Sequence, residues 1–155
     1  MPMKENKLRK ILDANLPSIG TRLWSSWAFF TEAVGSTGNY DYIEFLAEYA
    51  PFTQYDLEHI AMAAELHDMG SMIKVDFQNR GYVAQKAIGS GFQSVLFTDC
   101  QTADDVRESV RLVKPETPQD GGRFGYPNKR FIGFQPRLGQ MDHAKRQREV
   151  VLAFM

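Results

Sequence analysis

The feature that most constrains this chain is a rhythm. Short runs rich in β-branched and aromatic residues, at 18–24, 40–45, 71–76, 94–98 and 150–155, alternate with stretches whose apolar residues recur at helical spacing. Strand-then-helix, repeated at similar intervals, is the pattern of βα units, in which parallel strands carry helices packed against the sheet.

The helical stretches carry their own punctuation. Thr53 can cap a helix with Asp56 three residues on, and Leu57, Ile60, Ala61 and Ala64 then follow on one face. The same grammar recurs with Thr102, Asp105 and the stripe Val106, Val110 and Val113, which Pro115 ends. Two further helices are predicted at 28–34, with Gly35 as its end, and at 82–88, running into Gly89 and Gly91. Residues 4–16 form an amphipathic leading helix with Leu8, Ile11 and Leu12 on one side, suited to covering the bottom of a barrel. The stretch 114–140 breaks the rhythm, and a long loop rich in Pro, Gly and Arg reads as functional or mobile.

Five βα units at this spacing predict an α/β fold of the (β/α)8 TIM-barrel type. A complete barrel typically takes about 250 residues. The 155 residues here are read as one domain, 1–155, forming its N-terminal portion with the barrel not closed. Such a piece would leave open sheet edges, so either the chain was cut or another chain completes it.

Charge and cysteine usage narrow the function classes. With 18 basic and 19 acidic residues, and neither sign gathered into a block, nucleic acid is not an expected partner. Cys100 is the single cysteine, which rules out an intrachain disulfide and a thiolate metal cluster and fits a reducing compartment. The charged start of the chain lacks the apolar stretch of a signal peptide, and no run approaches a membrane span, so a cytoplasmic location without membrane contact is expected.

In parallel βα architectures ligands bind at the carboxyl ends of the strands. The residues to weigh there are Arg22 with Trp24, Glu44 with Glu48 and Tyr49, Lys74 with Asp76, and Thr98 with Asp99. Pro51 holds the turn after the second strand out of helix, which leaves Glu48 and Tyr49 near the strand mouth. Against a site role stands the plainer one, a helix-entry carboxylate and a half-buried packing ring. Lys74, in an otherwise apolar strand, reads as a carboxylate binder or Schiff-base former, or as a lysine snorkelling to water. Asp76 and Asp99 are metal or water ligands or, more commonly, helix caps. The loop at 121–130, with Arg123 among three cations and two aromatics, suits closure over an anion or a solvated surface excursion. His59, His67 and His143 lie at no metal-binding spacing.

Several segments together carry a resemblance: 40–51, Gly89-Ser90-Gly91-Phe92-Gln93-Ser94-Val95-Leu96-Phe97, the helix start Gln101-Thr102-Ala103-Asp104-Asp105, and Gly121-Gly122-Arg123-Phe124-Gly125. In order and spacing the chain resembles the HpcH/HpaI aldolase family along its whole length. The resemblance implies a (β/α)8 barrel that uses Mg²⁺ or Mn²⁺ to hold a pyruvate-like enolate during reversible aldol cleavage of a 2-oxo acid. A metal that chelates carboxylate and carbonyl absorbs charge as the enolate forms, so the protein needs chiefly a base and a carboxylate clamp.

Position by position the chain departs from the family pattern. The family's His base falls on Tyr49, the Asp that orients it on Leu46, the substrate-gripping Arg on Lys74, and an acidic residue before a Gly-containing turn on Gly89. Glu48, Ala50 and Pro51 match. The resemblance implies a divergent carbon–carbon lyase with Tyr49 as the catalytic residue and Arg22, Glu48, Lys74 and Arg123 binding substrate. Its metal ligands would come from the ends of the fifth and sixth strands, so none is visible in this chain and the first is expected just beyond Met155. Family members are generally homo-oligomers. Two alternatives stand beside the lyase: a binding or regulatory protein that lost the base, and an inactive fragment of a longer enzyme.

Overall fold

The computed structural model describes residues 5–125 and 139–155. Among the described residues eleven elements follow one another: α1 (Lys7–Asp13), β1 (Gly20–Leu23), α2 (Ala28–Ser36), β2 (Tyr42–Leu46), α3 (Gln54–Leu66), β3 (Gly70–Val75), α4 (Arg80–Ser90), β4 (Ser94–Phe97), α5 (Ala103–Val113), α6 (Gln140–Val150) and β5 (Leu152–Phe154). The five strands form one sheet in the order β1-β2-β3-β4-β5, and every neighbouring pair is parallel. Sequential parallel order is what successive βα units produce when each crosses over to the next strand on the same side.

Strand side chains alternate between two faces. Leu23, Ile43, Phe45, Ile73, Val75, Val95 and Phe97 pack with Leu57, Ile60, Ala61 and Ala64 of α3 and Val83, Ala84, Ala87 and Ile88 of α4 in one apolar core. The register sets Arg22, Glu44, Met72 and Ser94 side by side, and Leu46, Lys74 and Leu96 likewise, on the opposite, inner face. Charged residues therefore occupy the face a barrel turns inward.

Both capping boxes form: Thr53 accepts from the Asp56 amide and Thr102 from the Asp105 amide, with each aspartate answering the threonine backbone. Two glycines have roles other than the expected ones. Gly35 lies inside α2, where a Cβ would sit 2.4 Å from the His67 ring, so it permits close approach of α2 to the end of α3. Gly89 lies within α4, and Gly91, left-handed at φ 118°, ends that helix. The leading helix is shorter than 4–16 because Asn6 caps it, its side chain accepting from the Arg9 amide.

The described start of the stretch 114–140, residues 114–125, is not a plain loop. Phe124 is buried in the core, and its backbone bridges Pro115 through paired bonds between Glu116 N–H and Phe124 O and between Phe124 N–H and Lys114 O. Residues 126–130 of the expected closing loop lie outside the described residues. Helix α6 carries no sustained apolar stripe, because polar His143 and Gln147 are buried beside Ala144 and Val150. Gln147 donates to Val113 O at 2.7 Å, which ties α6 to the end of α5.

A second tie fixes α6. Asp120 accepts from Arg148 Nε at 2.6 Å and from Nη2 at 2.7 Å, a bidentate pair, and also from the Thr117 hydroxyl. The Arg148 guanidinium, aided by Thr117 and opposed by burial, lowers the Asp120 carboxyl from 3.8 to about 2. A carboxyl depressed by folding stabilises above its unfolded pKa and loses that contribution as pH falls through the folded value. Between pH 4 and pH 2 the native chain should lose about 2 kcal/mol through this group. Urea unfolding of Asp120→Asn should show lower stability at pH 7 and a flatter decline across that window than the native chain.

Candidate functional site

The turn after β2 is built by its backbone. The Tyr49 and Ala50 amides both donate back to Leu46 O, at 3.1 and 2.9 Å, while the Glu48 amide crosses to Lys74 O of β3 at 3.2 Å. These bonds set Glu48 and Tyr49 over the end of β3, where Lys74 stands on the inner face opposite Leu46. The Lys74 ammonium lies 2.5 Å from Glu48 Oε2 and donates to the Tyr49 hydroxyl oxygen at 3.3 Å. It also sits 4.7 Å from the centre of the Tyr49 ring. Tyr49 stacks on Trp24, just past β1, with centroids 5.6 Å apart and planes inclined by 20°. One strand row lower, Arg22 Nε pairs with Glu44 Oε1 at 3.5 Å.

Four of the five sequence-derived residues, Arg22, Glu48, Tyr49 and Lys74, thus lie along the C-terminal ends of adjacent strands. Arg123 is not brought to them. Its guanidinium pairs with Glu108 of α5 at 2.5 Å and its amide donates to Arg111 O, which places it along the outer helix α5. Asp76 takes the helix-start role: its Oδ1 accepts from the Asn79 amide and side chain ahead of α4.

The ion pair decides what Lys74 can do. The hydrogen bond that Lys74 donates to Glu48 first, and the one to Tyr49 with it, raise the Lys74 pKa above 10.5 against the opposing effect of burial. The side chain is therefore an ammonium at neutral pH, suited to gripping a carboxylate and unsuited to Schiff-base attack, which needs the free amine. Lysine has donors only, so the Tyr49 oxygen accepts in this pair and its own hydrogen remains available to a ligand.

Sequence reading named Glu44 and Trp24 beside these residues without assigning them a role. Glu44 is 7% exposed on the inner face, and the signal for it was the lone acid at an inward position of an otherwise apolar strand. The stacking of Trp24 had no sequence signal, since it joins loops after two different strands.

Among the described residues no three His, Cys, Asp or Glu side chains converge as cation ligands. Both inner-face carboxylates already face a cation, Glu44 with Arg22 and Glu48 with Lys74. These residues by themselves do not fit the divalent metal that the family resemblance implies.

Consecutive parallel strands, helices on one face and a polar mouth at the strand ends define an α/β protein of the TIM-barrel type. The solved structures it matches include aldolases of that fold. The HpcH/HpaI aldolase from Desulfitobacterium hafniense DCB-2 superposes with a TM-score of 0.82 at 21% identity, over 97% of this chain and 56% of that one. An HpcH/HpaI aldolase/citrate lyase family protein from Burkholderia cenocepacia J2315 gives 0.79 at 24% identity, over 96% and 58%. Macrophomate synthase gives 0.76 at 16% identity, over 99% and 54%. The chain spans a little over half the length of these structures. By sequence, no family profile and no curated protein matches it.

Proposed function

We propose that this chain serves a carbon–carbon lyase of the aldolase kind, acting on a 2-oxo acid. The observation that carries the reading is the Lys74 ammonium, held on the inner face at the strand mouth by Glu48 and Tyr49, in a chain with the fold of HpcH/HpaI aldolases. A fixed cation there suits the substrate carboxylate and the negative charge that grows on the 2-oxo oxygen. In cleavage the substrate hydroxyl loses its proton, the carbon–carbon bond breaks to release an aldehyde, and the electron pair stays on the 2-oxo fragment as its enolate. Protonation of that enolate carbon completes the reaction.

In this reading Tyr49 exchanges the hydroxyl proton. Its oxygen accepts from Lys74 and its ring stacks on Trp24, while the residue remains 57% exposed and open to a ligand. A divalent cation is proposed for the whole protein rather than for this set of residues; when bound it would supply a Lewis acid for the 2-oxo group. An assembly of several copies in the cell interior belongs to the same proposal.

The test is retro-aldol turnover of pyruvate-type aldols, with Mg²⁺ or Mn²⁺ present, by native protein and Tyr49→Phe. Loss of about 10²-fold or more in kcat, with oxalate binding retained, is the expected result for a proton-transfer role. Oxalate binding with no turnover in the native protein would point instead to a binding module, the reading favoured by Leu46 and Tyr49 in place of an Asp and His.

A further inference from the structure

Just past the ends of β1 and β2 two large rings lie open to solvent. Trp24 is 65% exposed and Tyr49 57%, although each already packs on the other. Two adjoining aromatic side chains left this far out of the core, at the end of a sheet where ligands bind, form an apolar platform that a ligand can cover.

The other exposed rings nearby differ in their surroundings. Trp27, Phe29 and Phe30, at the start of α2, pack on one another with centroids 4.8 to 6.0 Å apart, and among the described residues no cation lies over them. The Trp24–Tyr49 pair instead borders a fixed charge, because the Lys74 ammonium that Glu48 holds lies 4.7 Å from the centre of the Tyr49 ring. A flat apolar surface that meets an ammonium at one residue suits a ligand carrying a carboxylate and a planar ring. Offset stacking on indole and phenol favours a flat π system over an aliphatic chain of the same size.

We propose that the mouth takes a 2-oxo acid whose aldehyde half bears an aromatic ring, with the carboxylate at Lys74 and the ring stacked on Trp24. The assignment rests on the lyase reading above and names a substrate class for it. Lys74, Tyr49 and Trp24 stand at the ends of β3, β2 and β1 in turn, the order in which a 4-aryl-4-hydroxy-2-oxo acid carries its carboxylate, its hydroxyl and its ring. Cleavage breaks the bond between C3 and C4. The C4 hydroxyl gives up its proton and becomes the carbonyl of an aryl aldehyde, the electron pair stays on C3 as the enolate, and a proton taken up at C3 gives pyruvate. Trp24 meets only the ring, so it sets specificity and takes no part in bond breaking.

Isothermal titration calorimetry of the full chain with 2-oxo-4-phenylbutanoate, which lacks the hydroxyl and cannot be cleaved, tests this. The comparators are 2-oxobutanoate, without a ring, and 4-cyclohexyl-2-oxobutanoate, with a puckered one, and Mg²⁺ is present in every arm. The phenyl acid is expected to bind about tenfold more tightly than 2-oxobutanoate and more tightly than the cyclohexyl acid. Trp24→Leu, apolar but without a ring, should lose the preference for phenyl over cyclohexyl, and Trp24→Phe should keep most of it. Equal affinity of the native chain for the phenyl and cyclohexyl acids, or a preference undiminished in Trp24→Leu, overturns the aromatic assignment and leaves the 2-oxo acid site standing. Failure of all three acids to bind overturns that site and the assignment together.

Discussion

Lys74→Met is expected to lower retro-aldol turnover at least about 10²-fold and also to destabilise the chain, and the two losses should be separable. Lys74 and Glu48 are 20% and 15% exposed at their side chains, so the pair is largely withdrawn from solvent. Removing the ammonium strands the Glu48 carboxylate, and breaking a buried pair on one side costs about 3 kcal/mol, reduced here by the remaining water contact. Removing both charges restores the balance. The double variant Glu48→Gln with Lys74→Met should recover most of the stability in urea unfolding, as replacement of a whole buried pair by neutral groups is often close to neutral. Turnover should stay at least about 10²-fold down in the single and double variants alike, because the fixed cation at the mouth is gone from both. Recovery of turnover in the double variant would show that Lys74 serves only to neutralise Glu48.

That pair also marks how far the sequence could be read. The βα rhythm was legible because each unit is a local pattern: five strands appear where β-branched runs predict them, and the two threonine caps start α3 and α5. Strand ends then pointed to Arg22, Glu48, Tyr49 and Lys74, since topology alone makes them neighbours. Arg123 rested instead on the composition of its loop. A loop of cations and glycines carries no signal of direction, and the Pro115–Phe124 bridge folds its described part back along α5. Helix α6 was invisible for a different reason. Its buried positions include a His and a Gln whose burial depends on distant partners, so hydrophobic periodicity could not show the face.

Asn6 is the strongest case of a residue whose weight lies in distant contacts. As an N-cap it is locally ordinary: its Oδ1 accepts from the Arg9 amide at 3.2 Å. Its Nδ2, however, donates to Val150 O at 2.7 Å and to Gln93 O at 3.1 Å, joining α1 to the start of β4 and the end of α6. The side chain is 2% exposed, so water cannot take over these bonds. Asn6→Ala should therefore cost more than the about 1 kcal/mol typical of a lost cap. Adding the carbonyls left buried without this donor brings the expected loss to about 3 kcal/mol, a large share of a domain's net stability. Asn6→Asp separates the two contributions. It keeps the cap oxygen but sets a carboxylate against two carbonyls, so it should be at least as destabilising as alanine in chemical denaturation. If Asn6→Asp instead matched the native chain, the cap alone would account for Asn6, and the anchoring of α6 and β5 would rest on Arg9, Gln147 and Arg148.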